Sequence, residues 1–155
     1  MKGFKYDDRW DLESKYKFIT YKEPESVSCI SSVFANDPYY EYTYFIKLME
    51  KLKDTQKDGV GFWGNRNLII RQMTNLTIVV DQTTKEIVAF YVIRRRKKDN
   101  KDVIDFMEVF TPGKGIGRDI IQWECYRCLC VEESVQGAVG FWKKMGIPCE
   151  KVLNH

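Results

Sequence analysis

The stretch VIDFMEVFTPGKGIGRDIIQWECYRCL (residues 103–129) changes its period in the middle. Residues 103–110 are dense in Val, Ile, Phe and Met and read as a strand. In the segment TPGKGIG (111–117) three glycines then alternate with a lysine and an isoleucine. After it, Ile116, Ile120, Ile121, Cys125, Cys128 and Leu129 fall on one helical face, which predicts a helix from about Gly117 to Cys128. Glycines between a strand and a helix let the backbone turn tightly and leave the first helical N–H groups open to an anion. Lys114 and Arg118 add positive charge at the same place. A tight turn with no ligand accounts for the same glycines, so the loop alone leaves both readings open.

Upstream of the loop, LTIVVD (76–81), the turn QTTKE and IVAFYVIRRR (87–96) predict a β-hairpin, and KKDNKD leads into the strand at 103–110. KFITYK (17–22) predicts a first strand and LIIRQM (68–73) a short one. Val27, Ile30 and Phe34 suggest a short helix after Pro24. Asp37-Pro38 opens a second helix to about Lys53, with Phe45, Leu48, Met49 and Leu52 as its apolar stripe. Downstream, LCVEE (129–133) predicts a buried strand. Ser134 would cap a helix whose apolar face is Val135, Ala138, Val139, Trp142 and Met145, closed by Gly146. CEKVLN adds a last strand. Strand, helix and strand in this order favour a parallel pair with a right-handed crossover. The expected class is α/β: one mixed sheet, antiparallel first and parallel later.

The chain has 155 residues, 44% of them hydrophobic and 30% charged, which suits one soluble domain spanning 1–155, with residues 1–16 loosely ordered. A net charge of +3 does not argue for nucleic acid. No apolar run has the length of a membrane span, and no secretion signal opens the sequence, so the expected location is the cytoplasm. Five cysteines, an odd count, read as free thiols, and CYRCLC lacks the second pair that a zinc site needs. No metal site is expected.

The Walker A pattern fails, because no Ser or Thr follows a Gly-Lys at the right place. The dinucleotide pattern fails too, since its third glycine would fall at Arg118. The run from IVAFYVIRRR to LCVEESVQGAVGFWKKMGI instead resembles the GNAT N-acetyltransferase superfamily. PGKGIG is similar to the family's motif A, Q/R-x-x-G-x-G/A, with Gly115 and Gly117 as its glycines. AVGFWKKMGI is similar to motif B, A-x-x-x-Y-x-x-x-G-F. The resemblance covers about residues 76–147.

That resemblance implies a fold in which the fourth and fifth strands splay apart, with acetyl-CoA in the gap. Its pyrophosphate would rest on Gly113, Lys114, Gly115, Ile116, Gly117 and Arg118. Its pantetheine arm would pair with main-chain groups of Met107, Val109 and Phe110, and Trp142 would border the cofactor. A primary amine would attack the thioester directly in a ternary complex. The acceptor could be a small amine, a lysine side chain or a protein N-terminus. Members of the family are often dimers, which leaves a homodimer open.

A carboxylate on the fourth strand often serves the family as general base. Glu108 is the first candidate and Asp105 the second; period two puts them on opposite faces unless a bulge intervenes. Glu132 and Glu133 are weaker candidates. Tyr39, Tyr40 and Tyr42, in the aromatic run YYEYTYF, and the loop GFWG (61–64) would border the acceptor. Three positions depart from the family pattern. Pro112 stands where motif A has Gln or Arg, Val135 where an Asn is frequent, and Trp142 where motif B carries a tyrosine acid. Tyr126 and Cys130 could replace that acid, although a buried apolar role suits both better. The departures motivate a second reading, a catalytically inactive acyl-CoA-binding or protein-interaction module on the same fold. RRRKK (94–98) reads as a solvated hairpin end.

Overall fold

The computed structural model describes residues 9–21, 39–54 and 75–153. Over these residues the chain folds as a mixed six-stranded sheet, in sequence order β1 to β6, with helices on both faces. The elements are α1 (Arg9–Lys15), β1 (Tyr16–Thr20), α2 (Tyr39–Asp54), β2 (Leu76–Asp81), β3 (Ile87–Arg96) and β4 (Lys101–Val109). They are followed by α3 (Ile116–Trp123), β5 (Leu129–Val135), a 3₁₀ turn at Gln136–Ala138, α4 (Val139–Met145) and β6 (Cys149–Leu153). β1 to β4 pair antiparallel, whereas β4–β5 and β5–β6 pair parallel across α3 and α4. This is the expected order of meander followed by parallel crossovers.

Alternation along the strands builds a core on each face. One core joins Val79, Tyr91, Ile93 and Ile104 of the sheet to Leu12 of α1, Ile116, Ile120 and Ile121 of α3, and Trp142 and Met145 of α4. The other joins Ile78, Val80, Phe90 and Val92 to Phe45, Leu48, Met49 and Leu52 of α2. The stripe read from the sequence of α2 is therefore its buried face.

Several expectations are corrected. Residues 9–15 are not loose: they form α1, and Leu12 is buried against the sheet. α3 ends at Trp123 rather than Cys128, because Glu124 turns out of the helix as its C-cap. Ser134 caps no helix. It pairs with Val152 in the β5–β6 ladder, and its hydroxyl donates to the Val135 carbonyl at 2.9 Å. Val135 is 59% exposed rather than on a buried helical face. Gly146 does close α4 in the left-handed conformation, φ 73°. The proposed elements at 27–34 and 68–73, the loop 61–64 and Cys29 lie outside the described residues.

Candidate functional site

β4 and β5 pair only at Asp102↔Leu129 and Val103↔Cys130. Beyond Val103 the two strands diverge and leave a wedge. The cause is visible on the other edge of β4. Its register to β3 steps from Ile93↔Ile104 to Val92↔Phe106, so Asp105 is an extra residue, a β-bulge. A bulge twists and bends its strand away from regular pairing. It also shifts the alternation by one. Met107 and Val109 now join the α3/α4 core, while Phe106 and Phe110 join the α2 core. Glu108 lies opposite Phe90, a residue of the α2 core. Asp105 bonds Arg94, two residues along from Val92. Glu108 and Asp105 thus share the α2 face, the outcome that a bulge permits.

Side-chain ion pairs cross the region where the ladder lapses. Asp105 accepts from Arg94 Nε at 2.8 and 3.0 Å, and Arg94 also pairs with Glu132 of β5. Arg96 bonds Asp99, Glu132 and Glu150, tying β3 to β5 and β6. Arg94 and Arg96 are therefore not a solvated hairpin end, as the charge run suggested. Hydrogen bonding to Arg96 lowers the Asp99 carboxyl to about 2, and the Glu150 carboxyl is lowered for the same reason.

On the α3/α4 face, beside the divergent half of β4, lies a cavity of about 640 Å³. Met107 and Val109 form one wall, and Trp142 and Met145 of α4 another. The glycine loop and the first turn of α3 close the rest, with Pro112, Gly113, Gly115, Ile116, Gly117 and Arg118. Gly113 and Gly115 have φ of 85° and 76°, which a residue with a Cβ adopts only under strain. Apart from their immediate chain neighbours, no atom of the described residues lies within 4 Å of a Cβ built at either position, so their exposed backbone faces open space. Gly117 is helical, and its need is different: a Cβ there would sit 3.1 Å from the Phe141 ring. Gly115 is the N-cap of α3 and supplies no side-chain cap. The helix therefore starts with N–H groups that no helical carbonyl can reach, facing an apolar hollow.

Eight of the ten expected cofactor positions line this cavity: Met107, Val109, Gly113, Gly115, Ile116, Gly117, Arg118 and Trp142. Lys114 and Phe110 do not. Asp81, held below the usual carboxylate range mainly by the backbone N–H groups of Thr84 and Thr83, also feels the Lys114 charge. Phe110 packs against Phe90 on the α2 face, with Lys51 Nζ 4.8 Å from its ring centroid. Its N–H donates to the Val88 carbonyl at 2.8 Å, toward β3. Successive amides of a strand point to alternate edges, so those of Met107 and Val109 face the wedge instead.

Glu108 is half-buried, and burial alone pushes its carboxyl above the usual range. Asp105 is committed to Arg94. Glu132 is tied to both arginines, and Glu133 is exposed. Tyr39, Tyr40 and Tyr42 belong to the first turns of α2, but their side chains lie outside the described residues. Cys130 is fully buried and burial raises its thiol, whereas Tyr126 is 60% exposed, contrary to its expected apolar role. The four described cysteines are free thiols. Among the described residues no cluster of His, Cys, Asp or Glu could hold a metal ion, and no helix is long and apolar enough to cross a membrane. Comparison with protein-family models, with curated proteins and with solved structures returns no match to this chain.

Proposed function

We propose that the protein is an acetyl-CoA-dependent N-acetyltransferase of the GNAT type, acting on a primary amine. One observation carries this reading: the β4–β5 ladder stops after Val103, and the divergent half of β4 borders a 640 Å³ cavity floored by a glycine loop and an uncapped helix start. An acyl-CoA suits such a place. Its pyrophosphate needs backbone donors and close approach, which Gly113, Gly115 and the first turn of α3 supply. Its thin pantetheine arm needs a slot with free strand amides, which the divergent half of β4 supplies.

The bound cofactor supplies an activated thioester; the remaining tasks fall to the chain. The Val109 N–H, which faces the wedge, polarises the thioester carbonyl. Phe110 does not share this role, since its N–H is already bonded to Val88. Glu108 takes the proton from the incoming ammonium, directly or through water. Its raised pKa matches it to that task better than the arginine-bound Asp105. Trp142 cannot act as an acid, because indole has no proton to give at neutral pH. Solvent protonates the leaving thiolate.

The alternative is a non-enzymatic acyl-CoA-binding module. Trp142 favours it, being buried at the position where motif B carries a tyrosine. Incubation with acetyl-CoA and a panel of primary amines, followed by free thiol release, separates the two. Turnover on any amine supports the transferase, and binding without turnover supports the module. A thermal shift by acetyl-CoA that survives Gly115→Val/Gly117→Val would exclude the loop site from both.

A further inference from the structure

Asp105, the bulged residue of β4, has no partner in the β3 ladder or in the β5 ladder. A bulge leaves its extra residue outside the regular pairing, so a side chain must hold it in place. Arg94 of β3 does this. It sits opposite Val103, the last residue of β4 that pairs with β5. From there its Nε donates to both carboxylate oxygens of Asp105, at 3.0 and 2.8 Å. Its Nη2 donates to Glu132 of β5. One guanidinium thus spans three strands at the point where the ladder ends.

The charges give this span its consequence. Asp105 and Glu132 each lie two residues beyond the last ladder pair, Val103↔Cys130. Carboxylates at matching positions on neighbouring strands repel. With a guanidinium between them they are held at the width of its rigid fork. Ile104 and Asp105 of β4 and Glu132 and Glu133 of β5 line one hollow of about 410 Å³ at this point. The Arg94 side chain is 35% exposed, so its ion pairs contribute little to stability. Their effect lies further along β4. Met107, Glu108 and Val109 follow the bulge directly, and a slip of one residue would exchange the faces of all three.

We propose that Arg94 is a positioning residue for the site: by pinning the bulge at Asp105 against Glu132, it keeps Met107 and Val109 on the cavity side of β4 and Glu108 on the other. It touches neither cofactor nor substrate and acts through the strand it holds. This inference rests on the acetyl-CoA reading given above.

The test compares the full chain with Arg94→Met, Arg94→Lys and Glu132→Ala, by isothermal titration with acetyl-CoA and by thermal unfolding. Arg94→Met is expected to raise Kd about tenfold or more while lowering Tm by a few degrees at most. Arg94→Lys keeps the charge but not the fork, so it restores only part of the affinity. Glu132→Ala cuts the arm to β5 alone and raises Kd in the same direction, and its effect does not add fully to that of Arg94→Met. Lys97→Met removes a charge from the exposed hairpin end and leaves Kd unchanged. In kinetics, Arg94→Met moves the acid limb of kcat toward the ordinary carboxylate range, because Glu108 loses its half-buried setting. A merely structural role leaves that limb in place. Unchanged Kd in Arg94→Met, full affinity in Arg94→Lys, or an equal loss in Lys97→Met overturns the positioning role alone. A wild-type chain that binds no acetyl-CoA overturns the cofactor reading, and the positioning role with it. If Arg94→Met does not fold, unchanged Kd in Glu132→Ala overturns the proposal.

Discussion

Replacing Gly115 by Ala separates backbone strain from ligand contact at the proposed phosphate loop. Gly115 has φ 76° and ψ 13°, the left-handed region. An L-residue held there costs about 1–2 kcal/mol. Among the described residues beyond its chain neighbours the added methyl meets nothing within 4 Å, so no steric term adds to this. In a chain of this size the change lowers Tm by about 2–8 °C. Gly117→Ala is the control. Gly117 sits in α3, where Ala is favoured over Gly by about 1 kcal/mol. Its Cβ would press on Phe141 at 3.1 and 3.2 Å, and that half-buried ring can give way. The two effects oppose, so Tm changes little. Acetyl-CoA affinity responds differently. Both glycines line the cavity, and a methyl at Gly115 enters the open space where the pyrophosphate would lie. Its Kd should rise about tenfold or more, equivalent to about 1.4 kcal/mol. Differential scanning fluorimetry gives Tm, and isothermal titration gives Kd. A Gly115→Ala protein as stable as the parent refutes the strain reasoning. One that is less stable but binds acetyl-CoA unchanged refutes the loop as the phosphate site.

Three other outcomes are expected. Glu108→Gln lowers kcat about 10²- to 10⁴-fold, with KM for acetyl-CoA little changed. In the parent, kcat falls with falling pH at a value above the ordinary carboxylate range, since the base must be ionised; a limb in the ordinary range would reject this assignment. Arg96→Met lowers Tm at neutral pH, but the difference narrows as pH falls from about 4 toward 2. Asp99 and Glu150 have lowered pKa values, so their stabilisation is present above the unfolded pKa and lost as pH drops through the folded one; thermal unfolding at pH 7, 4 and 2 checks it. Tyr16 donates to Asp119 and is pushed up to about 12, mainly by burial. Its contribution is complete below the unfolded value near 10 and disappears as pH rises toward 12, so the parent should lose Tm over that range more steeply than Tyr16→Phe.

What the sequence revealed depended on how local the cause was. The β2–β3 hairpin, the α2 stripe, the left-handed glycines and the Gly146 cap each follow from residues within a few positions of one another. The misreadings had distant causes. Ser134 has the chemistry of an N-cap, but pairing of β5 with β6 holds it in a strand. α3 carries apolar residues as far as Leu129, yet Glu124 turns inward to meet the Tyr91 hydroxyl, 33 residues away in sequence. α1 is short and polar, and Leu12, docking on the sheet, gives it a buried anchor. Of the candidate site, the glycine loop was legible from spacing alone. The ion pairs of Arg94 and Arg96 were not, because RRRKK does not disclose that Glu132 and Glu150 will come to lie beside it.

The bulge at Asp105 lies between these cases, and the site depends on it. The segment VIDFMEVF carries its apolar residues in pairs separated by Asp105 and Glu108, a spacing that strict alternation cannot bury. With regular pairing beyond Ile104, Met107 and Val109 would point toward α2, and Glu108 would enter the apolar cavity beside Trp142. One inserted residue reverses all three. The same residue bends β4 where its ladder with β5 ends, so the slot and the facing of its walls share one origin. It also brings Glu108 to the face opposite the cavity. A cofactor could then enter from the α3/α4 side while an amine approached Glu108 from the α2 side, with only the thickness of β4 between them. That separation suits direct transfer, since neither partner need leave its own face for the two reacting groups to meet at the strand edge.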